Sequence, residues 1–141
     1  MSKTAIIYWS GTGNTEAMAQ AVLEGARSVD PDTYMCTVSE ISAADAAGYD
    51  TLIMGCPAMG AEELEESEFE PFFSNLEGSL SGKKAALFGS YGWGDGEWIR
   101  NWEERVTSAG AKLVCDSVIA NETPDDDALE QCRQLGKNAA V

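Results

Sequence analysis

Short apolar runs alternate with longer amphipathic stretches along the whole chain. The first run, at residues 4–9, is nearly continuous, as expected of a parallel strand that is buried on both faces. In residues 15–27 the apolar positions instead recur with helical spacing. Repetition of this strand-then-helix order predicts a doubly wound α/β sheet.

The same pattern predicts four further strands and four further helices. The strands are expected at residues 33–38, 51–56, 84–89 and 112–120, and the first of these alternates enough to suggest a sheet edge. The helices are expected at residues 42–47, 68–76, 97–109 and from Thr123 onward, with Thr123 as N-cap and Pro124 at the first helical position. Since there is no repeat or linker, we expect residues 1–141 to form one domain.

The charged residues of the sequence exclude several classes of function. Lys and Arg total 9, Asp and Glu total 24, the net charge is −15, and the sequence has no His. This charge argues against binding to nucleic acid or to anionic membranes. Without His, His-based catalytic triads and His-ligated metals are excluded. An acidic surface suits basic partner proteins, although solubility alone would explain it equally well.

Cysteine usage and the N-terminus indicate a cytoplasmic protein. Cys36, Cys56, Cys115 and Cys132 include no pair with the two-residue spacing of a redox or zinc motif. We therefore interpret them as reduced structural thiols and expect no metal site. The first apolar run is too short for a secretory signal, and no stretch has the length of a membrane span.

The loop after the first predicted strand has the composition of an anion site. Doubly wound sheets bind ligands at the carboxyl ends of their strands, and a helix N-terminus there attracts anions. The loop is neither a Walker loop nor the dinucleotide fingerprint, because no Gly-Lys pair follows and Glu16 replaces the third Gly. No Lys or Arg occurs between Lys3 and Arg27, so neutral donors would hold the anion. The alternative is an ordinary capped turn.

This loop resembles the phosphate-binding loop of the flavodoxins of the short-chain, clostridial type, and the similarity covers essentially the whole chain. The resemblance implies a flavodoxin-like three-layer α/β/α sandwich with a five-stranded parallel sheet of order 2-1-3-4-5. It also implies flavin mononucleotide (FMN) as the cofactor. By resemblance, six residues bind the FMN phosphate: Ser10, Gly11, Thr12, Gly13, Asn14 and Thr15.

A second candidate loop follows the third strand. Gly60 stands second in a turn over residues 59–62, where it permits both type II and type II′ geometry. The resemblance implies that the Gly60–Ala61 peptide flips on one-electron reduction, that Glu62 accepts the flavin N3–H and that Met59 packs on the inner ring face. Otherwise Glu62 is a solvated carboxylate in an acidic run. The cofactor-binding residues predicted here are Pro57, Ala58, Met59, Gly60, Ala61 and Glu62.

A third candidate loop follows the fourth strand. Trp93 stands between two glycines, which suits stacking on a flat ligand better than packing in a core, although an anchor beneath the loop is the alternative. The resemblance places Trp93 on the outer face of the flavin ring and backbone groups of the loop at the ring edge. The residues predicted to bind are Ser90, Tyr91, Gly92, Trp93, Gly94, Asp95 and Gly96.

The resemblance implies a low-potential one-electron carrier and not an enzyme. It would cycle between the neutral semiquinone and the anionic hydroquinone and substitute for ferredoxin. Its expected partners are redox enzymes with basic docking patches, and we expect a monomer. Glutamates crowd between Glu62 and Glu70, where they would disfavour an anionic reduced ring.

Two alternatives remain open at this point. A flavin-dependent NAD(P)H:quinone reductase would need a nicotinamide pocket and more cations than this short chain offers. A phospho-receiver domain would need an Asp at the end of the third strand, where this chain has Cys56 and Pro57.

Overall fold

The structure, a computed structural model, describes residues 3–11, 13–59, 64–92 and 96–140. In these residues a parallel sheet has the strand order β2-β1-β3-β4-β5, with β6 also paired to β4. The doubly wound α/β class predicted from the pattern, and the 2-1-3-4-5 order implied by the resemblance, are both confirmed. The strands are β1 (Thr4–Tyr8), β2 (Tyr34–Thr37), β3 (Thr51–Gly55), β4 (Lys84–Tyr91), β5 (Lys112–Leu113) and β6 (Val118–Asn121).

The prediction of the fifth strand is wrong in one respect, because the structure divides that strand into β5 and β6. Ala85 of β4 pairs with Leu113 of β5, and Phe88 of β4 pairs with Val118 of β6. An advance of three residues along β4 is therefore matched by an advance of five residues from β5 to β6. The two additional residues cannot stay in the ladder and must loop out. The Ser117 hydroxyl donates to the Glu103 carboxylate at 2.6 Å, which holds this excursion against a neighbouring helix.

The helices connect the strands on both faces of the sheet. Their bounds lie within two or three residues of the prediction: α1 (Asn14–Val29), α2 (Ala43–Ala46), α3 (Phe69–Leu76), α4 (Glu97–Ser108) and α5 (Asp126–Ala139). Short 3₁₀ turns occur at Val38–Glu40 and Glu77–Ser79. Among the described residues, no helix has both the length and the apolarity needed to cross a membrane.

The predicted start of α5 is wrong. The N-cap is Asp125, not Thr123, and its carboxylate accepts the Ala128 N–H at 2.8 Å. Pro124 therefore precedes the helix instead of occupying its first position. Both Thr and Asp are good N-caps, so the sequence alone could not separate them.

Two apolar layers sandwich the sheet. One lies between the sheet and helices α3 and α4, and the other lies between the sheet and helices α1 and α5. In the second layer, α1 and α5 approach so closely that a Cβ on Gly25 would overlap the backbone carbonyl of Arg133. A Cβ on Gly136 would likewise overlap the carbonyl of Val22. These two glycines set the distance between the helices and keep both tightly on the sheet.

Candidate functional site

A cleft of about 360 Å³ opens at the carboxyl edge of the sheet, where β1, β3 and β4 end side by side. Such an edge is the usual ligand site of a doubly wound sheet. The cleft collects residues from all three predicted loops, and its described lining includes no Lys or Arg. The lining residues are Trp9, Ser10, Gly11, Asn14, Thr15, Pro57, Ala58, Met59, Ser90, Tyr91, Gly92 and Glu122.

The loop after β1 is folded around the Ser10 side chain. Its hydroxyl oxygen accepts the N–H of Gly13 at 3.1 Å and the N–H of Glu16 at 3.2 Å. Gly13 has φ +95° and is the N-cap of α1, so a side chain there would be strained. The positive end of α1 therefore faces the cleft among neutral donors, which fits the phosphate of a cofactor.

Buried polar contacts connect the three loops. The hydroxyls of Thr15 and Ser90 lie 3.1 Å apart, which joins the loop after β1 to the end of β4. The Ala58 N–H donates to the Ser90 carbonyl at 3.0 Å, which joins the loop after β3 to the same strand. Because these contacts do not involve a ligand, they hold the described parts of the cleft in place.

Two tryptophans brace the base of the cleft. The Trp98 indole N–H donates to the Cys56 carbonyl at 3.0 Å, and the Trp9 indole N–H donates to the Glu68 carboxylate at 3.3 Å. A Cβ on Gly11 would come within 3.0 Å of the Trp9 ring. Gly11 therefore lets the first loop lie directly on this indole.

A fourth segment, absent from the prediction, also contributes. Glu122 follows β6, lines the cleft and has a φ of 57°, which is unusual for a residue other than glycine. Its N–H donates to the Tyr91 carbonyl at 2.7 Å, and the Asn121 amide donates to the same oxygen at 3.4 Å. The sequence offered one indication of this role, because Glu122 comes just after a predicted strand and therefore lies at the carboxyl edge of the sheet with the other loops.

The predicted site residues fall into three groups. Ten of those in the predicted loops line the cleft, as given above. Gly13 lies in the first loop beside them, and Gly96 is the N-cap of α4 with φ +93°. The remaining predictions lie outside the described residues: Thr12, Gly60, Ala61, Glu62, Trp93, Gly94 and Asp95.

Two described glutamates of the acidic run after β3 have more specific partners than solvent. Glu65 is only 5% exposed and accepts several hydrogen bonds. Glu70 forms a two-point ion pair with Arg105 at 2.7 and 2.8 Å. The hydrogen bonds from Arg105 hold the pKa of Glu70 below its ordinary value. Charge counting from the sequence missed these contacts, because it treats every carboxylate alike.

The cysteines are all free thiols. Burial raises the pKa of Cys36 to about 11 and that of Cys132 to about 12, and it raises the pKa of Cys56 and Cys115 as well. These shifts favour the protonated thiols at neutral pH. The described residues contain no cluster of three or more metal-ligating side chains.

Comparison with known proteins identifies the family. The sequence model of the family described as Flavodoxin matches residues 6–136. The flavodoxin of Megasphaera elsdenii is 46% identical over 135 residues, which cover 96% of this chain and 96% of the relative. The flavodoxin of Clostridium beijerinckii is 47% identical over 135 residues, which cover 96% of this chain and 97% of the relative. This chain belongs to the flavodoxin family.

The fold supports the same assignment. The solution structure of two-electron reduced Megasphaera elsdenii flavodoxin aligns with a TM-score of 0.88 and 47% identity, covering 97% of this chain and 98% of that one. Flavodoxins are FMN-dependent electron carriers and do not turn over a substrate of their own. The cofactor of this chain is accordingly FMN and its function is electron transfer, which sets aside the reductase and the receiver domain.

Proposed function

We propose that the cleft binds one FMN non-covalently, with the phosphate at the N-terminus of α1 and the ring between the loops after β3 and β4. The observation that carries this proposal is a cleft lined by hydroxyls and backbone from three strand ends, with no described cation in its lining. The predicted roles of Gly60, Glu62 and Trp93 at the ring remain part of the proposal. So does the expectation that residues 1–141 form a single domain.

The first loop would bind the phosphate dianion without a charged side chain. Ser10 keeps the loop wound by accepting two backbone N–H groups, which leaves the rest of the first turn of α1 to face the ligand. A helix N-terminus stabilises an anion by roughly 0.3–1 kcal/mol, and more when it is partly buried. Hydrogen bonds to the charged oxygens would supply the remainder.

When bound, FMN supplies two successive one-electron steps. The chain contributes the electrostatic setting, because its net charge is −15 and Glu122 lines the cleft. A carboxylate about 10 Å from the ring in water raises the energy of an added negative charge by about 0.4 kcal/mol before salt screening. Several such groups together make the second step a low-potential one.

The finer features of the carrier follow from its surface. It transfers electrons to and from redox enzymes, and we propose that their docking patches are basic and that they otherwise use ferredoxin. Met59, 38% exposed at the mouth of the cleft, marks the face through which electrons would pass. We further propose that the protein acts as a cytoplasmic monomer that docks on neither nucleic acid nor membranes.

Stepwise anaerobic reduction of the FMN-loaded protein at controlled potential tests this function. We expect two separate one-electron steps, the second well below the corresponding potential of free FMN. Rising ionic strength should bring the second potential closer to that of free FMN, because salt screens the carboxylates. A single two-electron step, or rapid NAD(P)H oxidation by the protein alone, would contradict the proposal.

A further inference from the structure

The two described ends of the segment that follows β3 contact each other. Cys56, at the start of the segment, is fully buried, and its backbone donates to the Phe88 carbonyl at 3.2 Å. Its sulfur accepts the N–H of Glu65, nine residues later, at 3.4 Å. The stretch that carries Pro57, Ala58 and Met59 is therefore closed at its base by a Cys56–Glu65 contact.

The Glu65 side chain fixes the returning end of this segment. One carboxylate oxygen accepts the N–H groups of Glu68 at 2.7 Å and Phe69 at 3.0 Å. The other accepts the N–H of Ser67 at 2.8 Å and also the Ser67 hydroxyl. Glu68, the formal N-cap of α3, makes no capping bond with its side chain, so Glu65 caps this helix from a distance.

The ionised form of Glu65 is the one that these contacts require. Burial alone would raise the pKa of Glu65, but the hydrogen bonds from Ser67, Phe69 and Glu68 outweigh it and hold the pKa below its ordinary value. Four donors converge on two oxygens, and the amide of a glutamine could satisfy only those on its oxygen side.

The capped segment also reaches the first loop. Glu68 accepts the Trp9 indole N–H, and the Trp9 ring lies under Gly11. A shift at the start of α3 would thus be transmitted through Glu68 and Trp9 to Gly11, and through the Glu65 N–H to Cys56 at the base of the segment after β3.

We propose that Glu65 is a positioning residue for FMN. Its carboxylate fixes the start of α3 and, through Glu68 and Trp9, the spacing between the loop after β1 and the segment after β3. The inference rests on the proposed FMN site. A free start of α3 would leave these loops to be ordered when FMN binds, and that ordering weakens affinity.

The test compares FMN dissociation constants, measured by quenching of flavin fluorescence on apoprotein. Glu65→Gln should weaken binding by about tenfold or more, since it removes two hydrogen bonds to a carboxylate. Glu66→Gln, at the exposed neighbour, removes the same charge and should stay within about twofold of wild type. Asp125→Ala, which removes the α5 cap instead, should also stay within about twofold.

The indole N–H resonance of Trp9 provides a second measurement, independent of the cofactor. In the apoprotein it should move in Glu65→Gln and keep its position in Glu66→Gln and Asp125→Ala. If Glu65→Gln does not fold, Ser67→Ala serves instead, because it removes one of the four donors, and we expect about threefold weaker binding.

Three outcomes would overturn the inference. These are affinity within about twofold of wild type in Glu65→Gln, an equal loss in Glu66→Gln, or, should Glu65→Gln not fold, unchanged binding in Ser67→Ala. Failure of wild-type protein to bind FMN would instead refute the proposed function, so the two failures are distinguishable.

Discussion

The hydroxyls of Thr15 and Ser90 lie 3.1 Å apart and are buried, with the two residues 1% and 5% exposed. Thr15 belongs to the first turn of α1, and Ser90 lies next to the end of β4. Among the described residues each of these hydroxyls has the other as its partner, and such a buried polar pair specifies the relative placement of the segments that carry it. This contact joins the part of the cleft proposed to hold the phosphate to the part proposed to hold the ring.

Thr15→Val should therefore destabilise the apoprotein. The variant keeps the shape of the side chain but leaves the Ser90 hydroxyl without its partner, at a cost of about 1–2 kcal/mol. Urea denaturation followed by circular dichroism measures the difference. Thr107→Val is the matched control, because Thr107 is exposed and its hydroxyl donates to the Glu103 and Glu104 carbonyls of its own helix, and it should change stability by less than about 0.5 kcal/mol. Equal effects of the two substitutions would contradict the role given to Thr15.

Gly25→Ala should destabilise the protein far more than the addition of one methyl group suggests. The added methyl group would overlap the Arg133 carbonyl, which belongs to the backbone of α5 and cannot rotate away. Separation of α1 from α5 should cost about 3 kcal/mol or more. Gly78→Ala is the control, because nothing lies within 4 Å of its Cβ position, and it should be nearly neutral. A lowered melting temperature in Gly25→Ala alone is the expected result, and equal melting temperatures would contradict it.

Much of this fold could be predicted from the sequence, and particular residues show which features could not. The run at residues 4–9 and the loop from Ser10 to Thr15 carry strong local signals, so the strand and the edge of the sheet where the cleft opens were predictable. Glu65 carries none, because its burial depends on how the chain returns to Cys56, and no local pattern encodes that return. Glu122 was missed for the same reason, since its partner Tyr91 lies on another strand.

Arg105→Met should lower stability in a manner that depends on pH. Arg105 pairs with Glu70 and Glu77 and lies over the Phe73 ring at 4.8 Å, and methionine preserves most of that packing. The pKa of Glu70 is lowered in the folded protein. Its contribution is thus fully present above the ordinary glutamate pKa and is lost as the pH falls through the lowered value. Because the pair is partly exposed, we expect a loss of about 1 kcal/mol at pH 7.

Denaturant titrations at several pH values check this effect. The gap between wild type and Arg105→Met should shrink as the pH falls below about 4. Arg133→Met provides the comparison, because its carboxylate partners Glu24 and Glu130 are more exposed, and its effect should stay below about 0.5 kcal/mol. A gap for Arg105→Met that is independent of pH would show that packing, and not the ion pair, is responsible.

Discrimination between FMN and riboflavin tests the central claim most directly, because the two ligands differ only in the phosphate that the loop after β1 is proposed to hold. Fluorescence titration of the apoprotein should show FMN binding at least about a hundredfold more tightly than riboflavin, equivalent to about 2.7 kcal/mol. Ser10→Ala, which removes the oxygen that winds this loop, should reduce that ratio by about tenfold. Equal affinities for the two ligands, or no quenching of FMN at all, would contradict the account.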